Sequence, residues 1–228
     1  MTEIEILKRI YPSAVTFAGD WQKQMAEVKN LKLKEISLFL TCANFSERQE
    51  IYQALKKTSV KSLPHVHLRH DMKEPELDFL VKNYKTKAFT LHYQCFNLLK
   101  NSKHKKKIFI EINDGRQGIK DVNLLKKVGG VCLDLSHLEQ FRWHNPKYHK
   151  KAILAADKFK IGCNHLSAVR PGGKSRHLAG KISELDYVKN IPRKYFSQYI
   201  NLELGNSIKQ QLKFKKYVAK LLFRAWKS

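Results

Sequence analysis

Eight short runs rich in β-branched, aromatic and aliphatic residues recur along the chain, at residues 14–18, 36–42, 65–69, 88–93, 108–112, 131–135, 161–166 and 199–204. Segments with helical periodicity lie between most of them. Several runs are near-continuously apolar or alternate with a period of two, as strands do when buried on both faces or lining a barrel. Strand–helix alternation dictates parallel pairing, because each right-handed crossover returns the chain to the same end of the sheet. Eight such units can close into a barrel. An open doubly wound sheet is the alternative, but no run is followed by a G-x-G-x-x-G turn.

The helical segments are readable as well. One covers 21–31, with Asp20 as N-cap. Ser46-Glu47-Arg48-Gln49 has a capping-box layout ahead of Ile51, Tyr52 and Leu55. Further helices are predicted over 74–84, 117–128, 147–159 and 207–226, with shorter ones near 96–100 and 183–189. No Pro/Gly/Ser-rich linker interrupts the chain. The expectation is one compact α/β domain over residues 1–228, a (β/α)8 TIM barrel with short loops. The least regular stretch, 168–181, is rich in Gly, Arg and Lys and reads as a long loop at the mouth.

In a parallel barrel the active site lies at the carboxyl ends of the strands. The fifth run ends in Glu111, the sixth in Asp134, the seventh in His165 and the eighth in Glu203. Four successive strands thus each deliver one metal-competent side chain. Carboxylates there are costly to desolvate without a counter-charge, and a divalent cation supplies one. Three carboxylates and an imidazole suit Mn, Mg, Co or Zn. More histidines point to the same rim: His67 in HVHLRHD, His92 in TLHYQ, His137 three residues after Asp134, and His177 in SRHLAGK. His65, His70 and His104 read as ordinary surface residues.

This order of residues resembles the xylose isomerase-like TIM-barrel superfamily. That group includes sugar and sugar-phosphate isomerases and epimerases, and the endonuclease IV class of abasic-site nucleases (AP endonuclease family 2). The shared pattern is Glu111 after the fifth strand, Asp134-x-x-His137 after the sixth and His165 after the seventh. Arg176-His177-x-x-Gly180-Lys181-Ile182 then stands in the loop, and Glu203 follows the eighth strand.

The resemblance implies two chemistries. In the leading expectation the enzyme is a divalent-metal-dependent isomerase or epimerase of a sugar or sugar phosphate. The metal, held by Glu111, Asp134, His165 and Glu203, polarises the substrate carbonyl and acidifies the neighbouring C–H. Glu111 and Glu203 then exchange the proton, while His137 and Arg170 hold substrate oxygens and His177, His92 and His67 line the pocket. In the alternative the chain cleaves DNA phosphodiesters at abasic sites. The resemblance then carries His92 and Glu111 to one metal, the four-residue set to a second, and His137 with His177 to a third. The nuclease pattern has Asp-Arg-His in the loop, whereas this chain has Ser175-Arg176-His177. A third class is a binding protein that keeps the metal site without turnover.

Composition bears on the partner. The 228 residues hold 44 Lys+Arg against 20 Asp+Glu, a formal net charge of +24, with 43% hydrophobic residues. The apolar content excludes a disordered basic tail, and the charge favours an anionic substrate such as a sugar phosphate, or DNA. Residues 100–107 contain five Lys, and 209–227 contain seven Lys/Arg and no acid. The first cluster precedes the fifth strand, so it is expected at the amino end of the barrel, away from the mouth. Cys42, Cys95, Cys132 and Cys163 show no CxxC or zinc-finger spacing and read as buried, reduced thiols. With no membrane-length apolar run and no signal-peptide layout at the N-terminus, the expected location is cytoplasmic.

Overall fold

The computed structural model describes residues 1–99, 101–112 and 122–227. Its strands are β1 (Ile10–Tyr11), β2 (Ser13–Val15), β3 (Ser37–Phe39), β4 (His65–His67), β5 (Ala88–His92), β6 (Ile108–Glu111), β7 (Gly130–Asp134), β8 (Ile161–Leu166), β9 (Ala168–Arg170), β10 (Lys174–Arg176) and β11 (Ile200–Leu202). The helices are α1 (Glu3–Leu7), α2 (Trp21–Asn30), α3 (Phe45–Lys56), α4 (Glu74–Tyr84), α5 (Phe96–Leu99), α6 (Leu135–His144), α7 (Pro146–Lys158) and α8 (Ile208–Ala225). Nine strands form one parallel sheet in the order β1-β11-β8-β7-β6-β5-β4-β3-β2.

The two ends of this sheet are neighbours in the chain, so the sheet curls into a nearly closed barrel. Ile10 pairs with Ile200 on one side, and Ser13 pairs with Ser37 on the other. The count is nine, where eight runs were predicted, because Pro12 divides the first strand. Proline has no N–H to give a ladder. Two buried glutamines bridge β2 to the segment that follows β11. Gln211 of α8 accepts from the Ser13 N–H (2.7 Å) and donates to the carbonyls of Ser13 and Leu204 (both 2.9 Å). Gln24 of α2 accepts from the Val15 N–H (2.9 Å) and donates to the Asn206 carbonyl (2.9 Å).

Several local readings are corrected. The α3 cap is Asn44, whose side chain accepts from the Glu47 N–H at 3.0 Å; Ser46 lies inside the first turn. The stretch expected to be a mouth loop holds an antiparallel hairpin, β9–β10. The predicted 117–128 helix is a 3₁₀ segment over Val122–Lys127, and residues 117–121 lie outside the described residues. The segment near 183–189 is likewise 3₁₀ in form. Cys132 and Cys163 are buried, but Cys42 is exposed and Cys95 half-buried, because both follow the ends of their strands. No helix among the described residues is long and apolar enough to cross a membrane.

Candidate metal centre

Side chains alternate across a strand, so every second residue of each barrel strand points inward. The register stacks these residues in layers. Ala88, Phe109, Cys132 and Cys163 pack together in the lower layer. Two residues further along, the same strands carry Glu111, Asp134 and His165 into the upper layer, with His67 and Glu203 from β4 and the end of β11. Register pairs His92 with Glu111 and Asp134 with His165. The predicted strand-end residues therefore share one end of the barrel.

Glu111 is the centre of the cluster. Its Oε2 lies 3.1 Å from His67 Nε2, 3.6 Å from His92 Nε2 and 3.6 Å from His165 Nδ1. His165 Nδ1 is also 3.7 Å from Glu203 Oε2. Metal bonds of about 2.1 Å set tetrahedral ligand atoms about 3.4 Å apart, and these separations bracket that edge. Asp134, His165 and Glu203 form a second group of converging donors beside His67, Glu111 and His165. His137 Nδ1 stands 3.7 Å from Asp134 Oδ2, and His177 Nδ1 stands 3.9 Å from Glu203 Oε2. The His137 and His177 rings are 6.3 Å apart at the rim.

The chemistry of these donors suits a cation. His67 Nδ1–H donates to the Leu68 carbonyl (3.0 Å), which can only accept. Its Nε2 faces the Glu111 carboxylate at 3.1 Å, a separation that a proton or a metal ion can bridge. Glu203 Oε2, His165 Nδ1 and His177 Nδ1 are buried and make no hydrogen bond. Burial raises the Glu111 carboxyl, but the His165, His67 and His92 imidazoles outweigh it and hold the group well below the usual range. Burial, with Asp134 and Glu111 nearby, pushes Glu203 well above it. The residues present fit a divalent metal.

Positioning is local and specific. Asp134 ends β7 and caps α6, its Oδ1 accepting from the His137 N–H (2.8 Å) and from Ser136 Oγ (2.6 Å). Ser136 also bonds Ser167 (2.6 Å) and Ser175 (3.1 Å), which ties the hairpin to the donor rim. Arg170 is not brought to the cluster; it is half-exposed, with its Nε 3.7 Å from Glu184.

One residue escaped the sequence reading. His65 is fully buried, where a surface residue was expected. Its Nε2 lies 2.7 Å from Thr90 Oγ1 and 3.4 Å from His165 Nε2, behind the donor set. The signal was available in His65-x-His67, whose period of two places both rings on one strand face. His104 also corrects its surface reading, since it is half-buried and bonded to Asp78 (2.7 Å), but it lies in a separate group with Glu74. Lys103 already neutralises Asp78 there at 2.8 Å. His70 is exposed, as expected.

No protein-family model matches the chain, and no curated protein does. Among solved structures it is similar to an uncharacterized protein from Parabacteroides distasonis, at 12% identity and a TM-score of 0.50, covering 95% of this chain and 99% of that one. It is also similar to the arginine decarboxylase of Paramecium bursaria Chlorella virus, at 13% identity and a TM-score of 0.47, over 86% of this chain and 58% of that one. The first likeness bears on the α/β barrel fold alone.

Proposed function

We propose that the chain is a divalent-metal-dependent hydrolase of phosphodiesters, built on a xylose isomerase-like (β/α)8 barrel. The observation that carries this reading is the sharing of Glu111 between two groups of converging donors, one with His67 and His165 and one with Asp134 and His137. Three imidazoles surround its Oε2, His67 at 3.1 Å and His92 and His165 at 3.6 Å, and Asp134, His165 and Glu203 form a further group. A carboxylate shared between donor groups suits a paired-metal site, whereas in a single-metal sugar site His67 and His92 would only line the pocket. Arg170, the residue an epimerase needs for its substrate, is engaged with Glu184.

His67, His92 and Glu111 would hold one ion, and Glu111, Asp134, His165 and Glu203 a second. Bound metal would supply a hydroxide at neutral pH and neutralise charge on the displaced phosphate oxygens. The chain's own residues do the rest. Leu68 and Ser136 fix the orientation of His67 and Asp134. The half-buried His137 and His177 face the rim and orient substrate oxygens. Arg176 and Lys174 are exposed on the hairpin beside them and offer charge to a phosphate.

The isomerase reading keeps one favourable observation. Ser175 leaves His137 and His177 without the aspartate of a third metal set. One experiment separates the two. Metal content and cleavage of an abasic-site duplex are measured with Zn, Mn and Mg, alongside solvent deuterium exchange into ketoses and ketose phosphates. The hydrolase reading expects about two metals per chain and cleavage that is lost in Glu111→Gln. One metal, deuterium exchange and no cleavage would establish the isomerase instead.

A further inference from the structure

The corner where α6 meets α7 is unlike the rest of the surface. Between Glu139 and Asp157 the chain carries no acid, but it carries Arg142, Lys147, Lys150 and Lys151. Two of the three exposed aromatic side chains among the described residues stand here, Trp143 at 58% and Tyr148 at 38% exposure. The indole is not loose. Its Nε1–H donates to Glu139 (2.9 Å), and its ring rests against Gly173 at the tip of the β9–β10 hairpin, where a Cβ would clash. His144 Nε2 donates to the Gly172 carbonyl (2.6 Å) and pins the hairpin tip to the same corner. A large aromatic surface is therefore held in one orientation with more than half of it exposed, and Lys151 stands over Tyr148 (5.6 Å); Arg142 lies over the indole (5.6 Å) with its guanidinium paired to Glu139.

The corner is continuous with the metal centre. Trp143 and the rim residue His137 share α6, about 9 Å apart along the axis at ~1.5 Å per residue. Helix α7 runs back to feed β8 at Ile161, so its first turns, with Lys147, Lys150 and Lys151, lie at the mouth end of the barrel.

Resting on the phosphodiester reading, we propose that this corner docks a single nucleic-acid strand whose next nucleotides enter the metal centre. Exposed aromatics stack on unpaired bases whatever their identity, and neighbouring cations follow the phosphates. A lipid surface suits the corner less well. The indole N–H is satisfied by a carboxylate, and Leu154 is the one exposed aliphatic side chain within the acid-free stretch.

The test is fluorescence anisotropy of a labelled oligothymidylate against the full chain, with EDTA present to prevent turnover. Trp143→Ala is expected to weaken binding about tenfold, and Trp143→Phe to restore most of it. The triple reversal Lys147→Glu, Lys150→Glu, Lys151→Glu is expected to lower the salt slope by about 2, at ~0.7 per lost phosphate contact. The same reversal at Lys213, Lys216 and Lys220 of α8 makes an equal charge change and is expected to leave binding within about threefold. Equal losses in the two triple variants, unchanged binding in Trp143→Ala, or preference for phosphatidylserine vesicles over the oligonucleotide would each overturn the proposal. Binding that depends on the corner without any cleavage would fault the hydrolase reading alone. Cleavage with corner variants indistinguishable from wild type would fault the docking surface alone.

Discussion

Among single residues, Glu203 is the one most at odds with its surroundings. It is a buried carboxyl with a converging aspartate and a second glutamate nearby, and its pKa lies well above the ordinary 4.5. Because the fold favours its neutral form, its contribution to stability is complete below about 4.5 and is lost as the pH rises through the raised value. Glu111 has the opposite sign: its contribution is present above 4.5 and is lost in acid. Burial lowers His65 and His177, so these two oppose Glu203 as the pH rises past their ordinary range. The Glu203 share is therefore read against a variant: in the metal-free protein Glu203→Gln is expected to gain stability relative to wild type as the pH rises above about 4.5, and to lose most of its metal content. Thermal melts of both proteins in EDTA across pH 5 to 8, with metal analysis of each, check both parts; a wild-type-minus-variant difference that does not change with pH would refute the first. Glu111, Asp134, His165 and Glu203 were all legible because strand ends in a parallel barrel share one face. His65 was not, because a histidine early in a strand looks like any surface residue until its period of two with His67 is read.

At the level of elements, helices α3 and α4 are locked by a buried cation. Arg48 is fully buried, and its guanidinium donates to both oxygens of Glu76 (2.8 Å each), to Asp71 (3.0 Å) and to the Ala43 carbonyl (2.8 Å). Removing one partner strands the others, so Glu76→Ala is expected to cost about 3–5 kcal/mol. The double change Arg48→Met with Glu76→Leu should recover most of that. Urea denaturation of the two proteins gives the answer, and a Glu76→Ala loss below ~1 kcal/mol would contradict it. None of this pairing was legible, because Glu76 lies 28 residues from Arg48 and periodicity reports only neighbours. Helix α6 escaped for a different reason. Asp134 is at once the last residue of β7 and the cap of α6, so there is no loop to announce a new helix. The hairpin was hidden behind its two glycines at positive φ, Gly172 and Gly173, which read as loop composition but form a tight turn.

For the whole molecule, closure of the barrel is the decisive event, and the sequence showed it only as a count of eight units. The seam rests on Gln24 and Gln211, whose amides are read as ordinary helix residues until the fold turns them inward. Gln211→Leu leaves the Ser13 N–H and the Leu204 carbonyl without this partner and is expected to cost about 2–4 kcal/mol. Hydrogen exchange should then speed up at Ser13 more than in β7 or β8; uniform exchange would mean that the seam carries no special share of the stability. The charge of +24 also takes a different meaning at this scale. The acids are scarce, yet three of them crowd the mouth, so the fold holds their mutual repulsion in place. If the site is loaded, metal at a hundredfold its dissociation constant returns about 2.7 kcal/mol, a large part of the margin by which a domain stays folded. A cell short of that ion would then carry more of this chain in open, protease-sensitive form. Its abundance would fall with the ion, making turnover of the protein itself a gauge of metal supply.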